Sequence, residues 1–120
     1  MLPLFEQYPL LMAKLPYISL GDFPTPVQHL EKLGAHIGYE DLYIKRDDIS
    51  AKDYGGNKVR KLEFLFGKSL RDGVDEVMTF GAAGSNHAAA TAFYANQLGM
   101  RCVSMLVSQV NAFYIRKNLK

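Results

Sequence analysis

From residue 57 onward the apolar positions keep a helical period. Val59, Leu62, Leu65, Phe66 and Leu70 recur at helical spacing, and Gly73 follows as a stop, which predicts a helix over 57–70. Glu76 to Phe80 reads as a strand, and the small-residue turn Gly81-Ala-Ala-Gly84 follows it. Ser85 then opens a second helix that runs to Leu98, with Gly99 behind it. Arg101 to Val107 is largely apolar and predicts a strand buried on both faces. A further helix is expected from Asn111 to Lys120.

Upstream the pattern is broken by prolines at 3, 9, 16, 24 and 26, so residues 1–26 are expected to be irregular and 21–26 extended. Val27 to Leu33 predicts a short helix, with Thr25 as N-cap and Gly34 as stop. Leu42 to Lys45 predicts a short strand, and 46–56 a polar loop. Strands alternating with helices imply an α/β fold with parallel strands and a right-handed βαβ crossover. There is no internal repeat and no low-complexity linker. A sheet of two or three such strands leaves apolar faces uncovered, so the pattern reads as the front part of a larger unit, expected to self-associate when alone.

Composition narrows the function classes. The 120 residues are 48% hydrophobic and 22% charged, a globular balance that excludes general disorder. Fourteen Lys and Arg against twelve Asp and Glu leave +2 with the signs interspersed, so no basic face suggests nucleic acid. The single cysteine, Cys102, can form no internal disulfide and no zinc pair, which fits a reducing, cytoplasmic compartment. The amino-terminal stretch lacks a basic leader region and is interrupted by proline, so neither a signal peptide nor a membrane span is expected.

Three segments can carry chemistry. Ile44-Lys-Arg-Asp-Asp48 is a strand end turning into a charged loop, for which a salt-bridged solvated turn is the plainer reading when it is taken alone. In Gly55-Gly56-Asn57-Lys58, the glycines permit close backbone approach to a ligand, and Asn57 stands where an N-cap would. Lys58 falls in the first helical turn, where the macrodipole disfavours a cation and so suits an amine nucleophile. An ordinary surface lysine in a basic run is the plainer alternative. In Phe80-Gly-Ala-Ala-Gly-Ser-Asn-His87, a strand, a tight turn and a helix start gather free N–H groups for an anion. With no Lys or Arg in that turn, a carboxylate is expected there rather than a phosphate. A capped βα turn is the alternative, and neither the dinucleotide nor the P-loop spacing is present.

Together the segments resemble the fold type II enzymes that use pyridoxal 5′-phosphate, closest to the branch of D-cysteine desulfhydrase and 1-aminocyclopropane-1-carboxylate deaminase. The resemblance rests on Pro24-Thr25-Pro26, Leu42-Tyr-Ile-Lys-Arg-Asp-Asp48, Gly55-Gly-Asn-Lys-Val-Arg-Lys-Leu-Glu63 and Ser85-Asn86-His87, in that order, and it extends to Val107. It implies a partial three-layer αβα fold, with residues 1–57 belonging to a larger domain and 58–120 to an incomplete smaller one. It implies pyridoxal phosphate as cofactor and Lys58 as the lysine forming the Schiff base with it. Lys58 and Ser85 become the catalytic candidates. Asn57, Asn86 and His87 join Lys58 around the cofactor, with Asn86 on its 3′-oxygen. Ser85, Asn86 and His87 surround the substrate, and Ser85 holds its carboxylate.

The implied reaction is β-elimination from a D-cysteine-like amino acid to pyruvate, ammonia and sulfide, or opening of a cyclopropane ring, in a homo-oligomer. Two features depart from the branch. Gly84 stands where the branch usually has Gln, and the family's phosphate loop lies beyond position 120. A catalytically inactive α/β fragment, or an anion-binding module without lyase activity, is therefore the alternative.

Overall fold

A computed structural model describes residues 2–110 and 113–118, apart from the Tyr114 side chain. The order is α1 (Pro3–Gln7), α2 (Pro9–Lys14), β1 (Val27–His29), α3 (Glu31–Ile37), β2 (Tyr43–Lys45), a 3-10 turn at Asp47–Ile49, α4 (Lys58–Arg71), β3 (Glu76–Ala82), α5 (Asn86–Gln97), β4 (Arg101–Val107) and α6 (Phe113–Asn118).

The amino-terminal segment is less irregular than its prolines suggest. Pro3 and Pro9 each occupy the start of a short helix. There a missing N–H removes no bond, and the fixed φ already suits a helix. Residues 27–33 also differ from expectation. Val27–His29 is a strand, paired antiparallel to β2 with Val27 opposite Lys45 and His29 opposite Tyr43. The helix begins only at Glu31, passes through Gly34 and ends at Gly38, whose φ of +72° is left-handed. Gly34 lies inside the helix, and it is glycine because a Cβ there would strike the Tyr39 carbonyl. Thr25 caps nothing; its hydroxyl donates to Asp47 instead.

The parallel unit is as the periodicity predicts. β3 and β4 run parallel in a two-stranded sheet from Glu76 opposite Arg101 to Ala82 opposite Val107, joined through α5. The core lies between α4 and α5, where Val59, Leu62 and Phe66 meet Ala90, Tyr94 and Ala95, with Met100 below. Leu65 and Leu70, placed in the same stripe by spacing, are exposed. Gly67 gives α4 its approach to the amino-terminal segment, since a Cβ would lie 2.6 Å from the Tyr17 backbone nitrogen. Ring contacts among Phe5, Tyr17 and Phe64 pin α1 to the same side.

β4 is not buried on both faces. Val77 and Cys102 pack towards the core, but Met78, Phe80, Met105 and Val107 share the opposite face and are 53–68% exposed. One helical layer covers one side of two strands, and among the described residues nothing covers the other. α6 occupies part of the last expected helix, whose flanks at 111–112 and 119–120 lie outside the described residues. Among the described residues no helix is long and apolar enough to cross a membrane.

Candidate active site

Two walls meet at one opening, and each is built by local backbone chemistry. The first is the loop that delivers Lys58. Gly56 has a φ of +117°, which a side chain would make costly. Its N–H donates to Asp47 O at 2.8 Å and to Ser50 Oγ at 2.9 Å. The fully buried Ser50 returns its own proton to Gly56 O at 3.0 Å. Gly55 is tight for another reason: a Cβ would come within 2.6 Å of the Asp48 carbonyl. From the core, the Tyr94 hydroxyl donates to Tyr54 O at 2.7 Å. Asn57 differs from expectation, because its backbone is helical and its side chain makes no capping bond. It is left exposed beside Lys58.

Three of the sequence motifs converge on a single ionic junction behind this wall. Arg60 grips Asp47 through Nε at 3.0 Å and a second nitrogen at 2.6 Å. The Thr25 hydroxyl accepts from Arg60 at 2.8 Å and donates to Asp47 at 2.9 Å. The guanidinium also stands 4.4 Å over the Phe23 ring. Hydrogen bonding from Arg60 is the main reason the Asp47 carboxyl titrates below its ordinary value of 3.8; burial opposes this, and Thr25 and the charges of Arg60 and Lys45 assist it. A depressed folded value gives stability that is complete above the unfolded value and is lost as pH falls through the folded one. Urea midpoints should therefore fall between neutral pH and about pH 3. Arg60→Leu should flatten that fall, leaving the slope due to other carboxylates; equal slopes in both proteins would contradict the junction's role.

The second wall is the β3–α5 turn. Ser85 caps α5 as expected, accepting from Ala88 N at 3.2 Å. Gly81 must be glycine because a Cβ would lie 2.6 Å from that of Ser85. Gly84 is held from the carboxy-terminal side. Its N–H donates to Gln109 Oε1 at 3.0 Å, and a Cβ would meet Ile115 at 2.6 Å. Asn118 Nδ2 donates to Gly84 O at 2.9 Å and to Asn86 Oδ1 at 2.7 Å.

Between the walls lies an open cavity of about 460 Å³ lined by residues 53–58, Asn86, Lys117 and Asn118. Of the candidates from sequence, Lys58, Asn57 and Asn86 meet here. Ser85 sits one residue behind, engaged at the helix cap. His87 lines a separate cavity of about 410 Å³ with Phe66, Thr79 and Thr91. Its Nδ1 and the Thr79 hydroxyl are buried without hydrogen-bond partners among the described residues. Burial chiefly, then the charges of Lys61 and Lys58, pushes the His87 imidazole below its ordinary value. A larger cavity of about 650 Å³, under the amino-terminal helices, contains none of these residues. Sequence reasoning missed Ser50, Tyr94, Gln109, Lys117 and Asn118. Spacing carries no signal for the last three, which reach the turn only through the fold.

The fold is of the α/β class, and its cavity holds a lysine and an asparagine from two helix starts. Residues 18–118 match the model of the pyridoxal-phosphate dependent enzyme family, and the chain belongs to that family, whose cofactor is pyridoxal phosphate. It is 46% identical over 96 residues to a Pyrococcus abyssi protein provisionally named 1-aminocyclopropane-1-carboxylate deaminase, covering 80% of this chain and 29% of that protein. It is 43% identical over 99 residues to the D-cysteine desulfhydrases of Salmonella paratyphi B and Salmonella newport, covering 82% of this chain and 30% of each. The chain thus spans about three tenths of the length of these curated relatives. The residues fit the family's cofactor. A primary amine and a carboxamide share one cavity, and at Gly56 a Cβ would find nothing within 4 Å, leaving bare backbone for a flat ligand.

Proposed function

We propose that this chain forms the lysine-bearing part of a lyase or deaminase acting on a small amino acid of the D-cysteine or 1-aminocyclopropane-1-carboxylate kind. The observation that carries the reading is the meeting of Lys58 and Asn86 in one cavity, from helix starts on different elements. When bound, pyridoxal phosphate supplies an aldehyde for covalent attachment and a ring that accepts the electron pair released at the substrate Cα.

The chain's own residues do the rest. Lys58 would hold the cofactor through Nζ and, with that amine free, would serve as the base for the proton on the substrate Cα. Gly55 and Gly56 would let backbone approach the cofactor, with Asn57 beside it, and Asn86 would hydrogen-bond its 3′-oxygen. The Ser85 hydroxyl spends its lone pair on Ala88 N and keeps its proton to donate to the substrate carboxylate at the start of α5. His87, whose imidazole burial biases towards the neutral form, packs behind this turn. We take residues 1–57 as part of a larger domain and 58–120 as part of a smaller one. The partners we propose are the amino-acid substrate and a second copy of the chain, in a reducing cytoplasmic setting that suits the lone thiol of Cys102. The alternative of a simple anion-binding module is weakened by Gln109, which already occupies the Gly84 N–H.

The test is absorbance after addition of pyridoxal phosphate. A new band should form, disappear on borohydride reduction, and map to the peptide containing Lys58. Labelling spread evenly over the exposed Lys61 and Lys68 would sink the proposal.

A further inference from the structure

The orientation of the Asn86 carboxamide follows from its neighbours. A backbone carbonyl can only accept, so the Asn118 atom 2.9 Å from Gly84 O is its nitrogen. That same nitrogen stands 2.7 Å from Asn86, so the atom it faces there must be the acceptor, Oδ1. The oxygen of Asn86 is therefore engaged by Asn118. The Asn86 Nδ2 donor pair is not used by Asn118 and stands at the other end of the carboxamide, available to the cavity that Asn86 lines. Without Asn118, an exposed carboxamide on the first residue of a helix is free to turn either end inward.

We infer that Asn118 is a positioning residue that fixes Asn86 as a hydrogen-bond donor towards an oxygen of the ligand beside Lys58. The identity of that ligand rests on the reading under Proposed function; the locking of Asn86 does not. Both side chains line the same cavity as Lys58, so the lock lies where the ligand's polar edge would be read. Gln109 on the Gly84 N–H fixes the other end of the same peptide segment. The turn is thus held by two amides from the carboxy-terminal side, and one of them sets the polarity of the next side chain.

Two measurements on the intact chain test this. In isotope-labelled protein, Asn118→Ala should shift the side-chain amide signals of Asn86 towards those of a freely rotating carboxamide, while β3 and α4 backbone signals stay in place. An unmoved Asn86 pair in the folded variant overturns the inference. With pyridoxal phosphate as probe, Asn118→Ala should weaken binding on the order of threefold to tenfold, the range of one hydrogen bond. Asn118→Asp should weaken it further, because a carboxylate cannot donate and would draw the Asn86 nitrogen to itself, turning its oxygen inward. In an Asn86→Ala background both substitutions should lose their effect. Equal losses in the two backgrounds would mean that Asn118 only stabilises the turn, and the inference would fall. No binding by the unsubstituted chain would instead count against the cofactor reading, and the Asn86 signals would still decide the lock.

Discussion

Lys58→Ala is expected to remove all borohydride-stable attachment of pyridoxal phosphate to this protein. Lys58 enters the cavity from the first turn of α4, and the loop before it is fixed at three points, by Asp47 O, Ser50 and Tyr94. The backbone from which its side chain projects is therefore fixed, which limits where the amine can reach. Lys61 is exposed and Lys68 is paired with Asp72, so neither should substitute for it. The sharper control is Lys117, which lines the same cavity from α6. Lys117→Ala should leave labelling close to that of the unsubstituted chain, and the loss in Lys58→Ala should be at least on the order of 10²-fold, as for removal of an activated nucleophile. Mass mapping of the reduced adduct decides the matter; comparable labelling in Lys58→Ala would show that Lys117 or a surface amine is the acceptor. Because residue 58 is only partly buried, the alanine variant should unfold at nearly the same urea concentration.

Glu63→Leu should produce the largest loss of stability of any single change considered. This carboxylate is 1% exposed, inside the helix that carries Lys58. Its Oε1 accepts from the backbone N–H groups of Leu20 and Gly21 at 3.0 and 3.2 Å, and its own carbonyl accepts from Ile18 N at 3.0 Å. The extended segment 18–21 is thus tied to α4 by this residue. Leucine has about the right volume, so little packing is lost, but two donors are left without an acceptor. Each half-buried orphan costs at the lower end of the usual range, giving about 2–3 kcal/mol together. That is a large part of the ~5–15 kcal/mol available to a small domain. Glu63→Gln keeps one acceptor oxygen and should lose well under half as much. Urea unfolding of the three proteins measures it, and a Glu63→Leu loss below about 1 kcal/mol would show that the segment is held by its apolar contacts alone.

What could be read in the sequence follows from how local each cause is. The helix at 58–71, the strands at 76–82 and 101–107 and the Ser85 cap are set by nearest neighbours and by glycines at their ends, and they lie where the periodicity puts them. Leu65 was misplaced because spacing defines a stripe without saying how wide the neighbouring element is. Val27–His29 was read as helix because its pairing partner, Tyr43–Lys45, is remote in sequence. The exposed face of β4 follows from the number of layers present, which an apolar run cannot report. At the site, Lys58 and Asn86 were legible from motif chemistry. Their supports were not, because Ser50, Tyr94 and Asn118 act through bonds to backbone or to another side chain, which carry no signature of their own.

The two walls are unequally founded, and this bears on how such a site can change. The lysine wall is welded into its surroundings: Arg60 joins α4 to Asp47 and Thr25, and Ser50 clasps both polar groups of Gly56. The asparagine wall is tied to β4 by the Ala83 N–H on Val107 O, and its Gly84 and Asn86 are held from beyond that strand by Gln109 and Asn118. Substitutions at Gln109 and Asn118 should therefore alter the Asn86 side of the cavity while the loop that carries Lys58 keeps its position. Founded in this way, one side of the cavity can be adjusted by residues that leave the other side untouched.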